Sequence, residues 1–168
     1  MNQITTQYVT ENGACYEQYV ITDPAAKTSL TITPERGGMI TGFTLDGDEY
    51  IWTRRPNFSE CNRPRFGVPV LFPSCGNPDG GVHNFDGKAY PMETHGFADL
   101  CGWDVESVGP DGVTLALEST PLTKFLYPFD FTLLVNYNLE GNKAAISLTV
   151  INEGDKPMPF SFRSEERR

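Results

Sequence analysis

An imidazole exchanges protons near neutral pH, and this chain has two, His83 and His95. Both lie in the run from Pro64 to Trp103, PRFGVPVLFPSCGNPDGGVHNFDGKAYPMETHGFADLCGW, with Cys75, Cys101 and a high density of Gly and Pro. Apolar, strand-like pieces such as Val68 to Phe72 break there into Gly, Asn and Asp turns, which can hold polar side chains still at a pocket rim. The chemistry such a rim suits is binding of a sugar or a small anion. Asn77, following Phe72-Pro73, is placed to meet a sugar hydroxyl, and Phe97 or Trp103 could face the apolar side of a pyranose ring. His83, in Gly-Gly-Val-His-Asn, reads as an exposed loop residue.

Composition narrows the class. The 168 residues suffice for one domain with a sizeable core. Acidic residues outnumber basic ones 22 to 13, a net charge of −9, which argues against nucleic acid as a partner. Arg54, Arg55, Arg63 and Arg65 form the one near-cluster of basic residues before the last few, and read as a solvated loop. No run is apolar enough for a membrane helix, and the first residues, MNQITTQYVTENG, lack a secretion signal, so the expectation is a cytoplasmic protein that makes no membrane contact. Cys15, Cys61, Cys75 and Cys101 show no Cys-x-x-Cys spacing and are expected as reduced thiols. Cys61, Cys75, His83 and His95 fit no compact zinc spacing, so neither a metal nor a cofactor is expected.

The elements that must hold these residues are strands. Apolar positions recur with period two in Tyr19 to Ile21, Leu30 to Ile32 and Met39 to Leu45. Turn signals separate them: Glu11-Asn12-Gly13, Asp23-Pro24, Pro34 to Gly38, and Asp46-Gly47-Asp48, the last predicting a hairpin from Ile40–Leu45 to Tyr50–Trp52. Trp103 to Val108 and Val113 to Glu118 form another hairpin around Gly109 to Gly112. Phe131 to Leu139 alternates with Phe131, Leu133, Val135, Tyr137 and Leu139 on one face, and Ala144, Ile146, Leu148 and Val150 share a face of the next strand. No helix is predicted; Thr120 to Asp130 reads as an irregular aromatic connection. A last strand is expected at Met158 to Phe162. After it, residues 163–168 read as a charged tail, with the domain cut mid-strand at 162.

Five blocks in order resemble the galactose mutarotase-like superfamily, in particular its aldose 1-epimerase members near the hexose-phosphate epimerases. They are GGMITGFTLDGDEYIW (37 to 52), FGVPVLFPSCGN (66 to 77), HGFADLCGW (95 to 103), YPFDFTLLVNYNLEGN (127 to 142) and VINEGDKPMPFSF (150 to 162). The resemblance implies an all-β fold, an antiparallel β-sandwich of the mutarotase supersandwich type, with residues 1–162 forming its N-terminal part. It also implies an activity, the interconversion of α and β anomers of an aldose such as glucose or galactose. In the family, a histidine after a Ser-Phe strand is the general acid and a glutamate nearer the C-terminus the general base. Here Arg163 follows Ser161-Phe162, so impaired turnover is expected.

The family's sugar-holding histidine corresponds to His95, which is expected both to bind and to exchange protons. Arg65 resembles a phosphate-contacting arginine, and Asp99 stands where similar hexose-phosphate epimerases place arginine; with Asn77, both are expected to contact substrate. Uncovered strands imply a homodimer or larger homo-oligomer. The alternative to an enzyme is a carbohydrate-binding or structural remnant that dimerises.

Overall fold

Period-two alternation closes into successive antiparallel hairpins. The computed structural model describes residues 2–52, 63, 66–110 and 112–164. Its first sheet sets β1 (Gln3–Glu11), β2 (Ala14–Asp23), β3 (Thr28–Thr33), β4 (Met39–Leu45) and β5 (Asp48–Glu49) side by side in chain order. Three short strands follow, β6 (Val70–Leu71), β7 (Val82–Phe85) and β8 (Lys88–Pro91), the last two a hairpin. β9 (Asp104–Gly109), β10 (Gly112–Glu118), β11 (Phe131–Glu140) and β12 (Lys143–Asn152) form a second sheet in the order β12-β11-β10-β9. The antiparallel sandwich expected from the sequence is therefore observed.

One core lies between the sheets. Ile21, Leu30, Ile32 and Ile40 of the first meet Val113, Leu115, Leu133, Val135, Tyr137 and Leu139 of the second. β11 alternates buried and half-buried positions along nearly its whole length, as its sequence requires. Each fully buried aliphatic side chain contributes roughly 1.5–3 kcal/mol. Polar bonds fix how the layers sit: Thr28 Oγ1 donates to the Gly141 carbonyl at 2.8 Å and Tyr137 Oη to the Gly38 carbonyl at 2.6 Å.

Three local expectations need correction. The β4–β5 turn is as tight as Asp-Gly allows, with Asp46 at φ 52 and Gly47 at φ 91, so pairing resumes at Asp48–Glu49 rather than at Tyr50–Trp52. The Thr120–Asp130 connection contains a helix, α1 (Pro121–Leu126). Thr120 Oγ1 accepts from the Thr123 amide and Thr123 Oγ1 from the Thr120 amide, a reciprocal cap with proline in the first turn. Leu122 and Phe125 of α1 are 75% and 70% exposed, which hides its amphipathic signal.

The third correction concerns Met158 to Phe162, which is not a strand. Isolated bonds tie it down instead: the Ser161 amide donates to the Pro73 carbonyl, and the Cys75 amide to Ser161 Oγ, both at 2.9 Å. Ladder pairing comes later, where β13 (Arg163–Ser164), within the expected tail, pairs antiparallel with β6. Among the described residues no helix is long and apolar enough to cross a membrane.

Candidate functional site

The segment His95 to Trp103 is held between two loops. On one side the Phe72 carbonyl accepts from the amides of Phe97 (3.0 Å) and Ala98 (3.2 Å). This approach requires glycine at 96: its φ is 74, and a Cβ there would lie 2.2 Å from the Phe72 oxygen. On the other side the backbone of Asp99 presses on Gly37, where a Cβ would lie 2.5 Å from the Asp99 oxygen. The Gly37 amide donates to the Cys101 carbonyl at 3.0 Å, and Trp103 Nε1 to the Ala98 carbonyl at 3.0 Å. A chain bonded on both sides keeps its side chains in fixed directions.

Asp99 is directed inward. Its side chain is fully excluded from solvent and meets the guanidinium of Arg63, with Nη1 to Oδ1 at 2.5 Å. Arg63 Nη2 donates to the Gly96 carbonyl at 2.7 Å and lies 3.7 Å from the exposed carboxylate of Glu93. Arg63 is itself 19% exposed. The two Nη atoms are thus engaged by neighbouring groups, and a charge-assisted bond this short is among the stronger polar contacts a protein makes. Burial first, and the Asp99 carboxylate second, push the Cys101 thiol above its usual range, which keeps it protonated and unreactive.

Above the pair opens a cavity of about 580 Å³. Arg63, Asn77, Glu93 and Thr94 give it polar groups, and Phe97, Leu100 and Leu126 give it an apolar wall. Thr94 Oγ1 donates to Asn77 Oδ1 at 2.8 Å, linking the two sides of the rim. A concave site with an apolar wall and a few convergent polar groups has the character of a small-molecule site.

Of the residues expected from the sequence, Asn77 lines this cavity. His95 occupies the turn between two lining residues, Thr94 and Gly96, with φ 73; its amide donates to the Gly76 carbonyl at 2.9 Å, and its ring Nδ1 lies 3.3 Å from the Cys75 carbonyl. Asp99 sits behind Arg63 rather than at the cavity surface. Arg65, like Arg54, Arg55 and Cys61, lies outside the described residues. His83 stacks on Phe85, with ring centroids 5.8 Å apart.

Sequence reasoning passed over Arg63, which it assigned to a solvated loop, saw Glu93 only as a neighbour of His95, and gave no role to Thr94, Leu100 or Leu126. The one signal for Arg63 was its place just ahead of the Gly67-x-Pro69 turn. No spacing rule connects it to an acid 36 residues later.

Comparison with known proteins agrees with this architecture. Residues 17–163 match the family model for aldose 1-epimerase. The chain is similar to the LacX protein of Lactococcus lactis subsp. lactis, 28% identical over 131 residues, which is 74% of this chain and 42% of that protein. Among solved structures it is similar to the Slr1438 protein from Synechocystis sp. PCC 6803, with 31% identity and a TM-score of 0.84 over 96% of this chain and 56% of that one. A galactose mutarotase related enzyme from Lactobacillus acidophilus aligns with 25% identity and a TM-score of 0.70, over 94% of this chain and 47% of that one. The chain therefore spans about half the length of these relatives.

Proposed function

Because the chain belongs to the aldose 1-epimerase family, we propose that the cavity at Arg63, Asn77 and Thr94 receives an aldohexose such as glucose or galactose, and that anomer interconversion is the reaction it serves. The observation that carries this reading is the pairing of the polar rim with the wall of Phe97, Leu100 and Leu126. A pyranose has hydroxyls around its edge and apolar C–H faces, and each kind of surface meets its complement there. Asn77 and Arg63 bond the hydroxyls in this reading.

Interconversion requires a proton delivered to the ring oxygen while another leaves the anomeric hydroxyl. We assign the second task to His95. A bond from Nδ1–H to the Cys75 carbonyl fixes the ring and makes Nε2 the basic nitrogen. Solvent water delivers the proton to the ring oxygen in this reading. With one proton-exchanging group assigned, turnover by these 168 residues is proposed to be slow. A cytoplasmic setting belongs to the same reading, since the four cysteines show no Cys-x-x-Cys spacing.

A second reading, binding without turnover in a self-associating protein, draws on what is left uncovered among the described residues: β12 ends its sheet, and Leu122, Phe125, Ile146, Phe160 and Phe162 are each exposed. A second copy of the chain is proposed to pair with the free edge of β12.

Polarimetry of freshly dissolved α-D-glucose and α-D-galactose, with wild type and His95→Ala, tests the first reading. The expected result is a small protein-dependent acceleration that His95→Ala abolishes. Sugar-dependent protection in a thermal melt without acceleration would leave binding alone, and absence of both would remove the aldose assignment.

A further inference from the structure

The cavity carries an electrostatic bias that the aldose assignment does not require. Its one described guanidinium, Arg63, faces two carboxylates: Asp99, fully buried beneath it, and Glu93, on the rim. Arg63 Nη1 donates to Asp99 and Nη2 to the Gly96 carbonyl, so two of the five N–H donors with which arginine can grip a phosphate are already engaged by the protein, one of them by a carboxylate. Asp99 cannot turn away to release it. Its side chain is enclosed, and its backbone is pinned between Gly37 and the Phe72-bonded segment.

Resting on the aldose reading above, we propose that Asp99 is a specificity-determining positioning residue: by neutralising and holding Arg63 from beneath, it makes the cavity take an uncharged aldose in preference to the phosphate ester of the same sugar. Arg63 then meets the ligand as a donor whose charge is compensated, which serves hydroxyls well. An incoming phosphate dianion would have to compete with Asp99 for the guanidinium while approaching Glu93. The net charge of −9 adds a repulsion of the same sign at long range.

Calorimetric titration at low salt tests this, using D-glucose and D-galactose against their 6-phosphates, with wild type, Asp99→Asn and Glu93→Gln. Asparagine keeps an oxygen that can accept from Arg63 and removes the charge. Wild type is expected to favour the free sugars. Asp99→Asn is expected to raise the ratio of phosphate-ester to free-sugar affinity about tenfold, and Glu93→Gln by a smaller factor in the same direction, because solvent screens the rim charge. A change in packing alone would weaken both ligands together and leave that ratio where it was. Tighter binding of the esters by wild type, or a ratio unchanged in the variants, would overturn the proposal; should Asp99→Asn fail to fold, Glu93→Gln decides it. Wild type that binds none of the four ligands would overturn the aldose reading itself.

Discussion

The hydroxyl of Tyr137 donates a 2.6 Å hydrogen bond to the backbone carbonyl of Gly38, joining the middle of one sheet to the loop that leads into β4. Gly38 in turn lies under the Trp103 ring, where a Cβ would come within 2.8 Å of it. The bond thus connects the core to the segment that carries Asp99. Tyr137→Phe keeps the packing and leaves a buried carbonyl without this donor, so a loss of about 1–3 kcal/mol is expected in urea unfolding.

The same tyrosine gives a prediction in alkali. Burial pushes its pKa above the ordinary value, so the folded state holds the phenolic proton more tightly than the unfolded state does. Its contribution is complete below about pH 10 and is lost as pH rises further, at up to about 1.4 kcal/mol per pH unit. Unfolding free energy measured between pH 8 and pH 11 should fall over the upper part of that range. The fall should be shallower in Tyr137→Phe, and equal slopes would contradict it.

Gly96 and Gly13 both have positive φ, 74 and 82, but a Cβ at 13 meets nothing within 4 Å. Gly13→Ala should therefore cost about 1 kcal/mol, the conformational penalty alone. Gly96→Ala adds a collision with the Phe72 carbonyl and should cost at least about 3 kcal/mol, since the backbone itself must shift. Thermal melts of the two variants separate strain from collision, and equal losses would show that the close approach at Phe72 carries no weight.

Self-association has its own measurement. Light scattering at micromolar concentration is expected to give a dimer or larger species. Charged substitutions at exposed apolar positions, Leu122→Glu with Phe125→Lys, should shift it toward monomer while leaving the melt cooperative. A wild-type monomer with a cooperative melt would dispose of the second copy.

Short-range order could be read from the chain because it is written in neighbouring residues. The alternation from Phe131 to Leu139 commits one face of β11 to the core, and Asp46-Gly47 commits the chain to reverse, whatever lies elsewhere. Where the local signal was weak, the reading failed. α1 escaped notice because its cap is made by two threonines and two of its apolar residues, Leu122 and Phe125, point outward. Met158 to Phe162 looked like a strand because its apolar residues suit one, yet its Ser161 amide donates singly to the Pro73 carbonyl and its Pro159 carbonyl accepts from the Tyr127 hydroxyl.

The amino-acid sequence by itself determined the antiparallel sandwich, the order of its hairpins and the family. Only the tertiary structure decided that Asp99 turns inward and that Arg63 is its partner. That pairing depends on Gly96 closing onto Phe72 while Gly37 admits the backbone of Asp99, contacts between segments far apart in the chain. Period and turn chemistry act over a few residues, whereas this ion pair forms where packing brings two distant loops together and excludes water from the carboxylate.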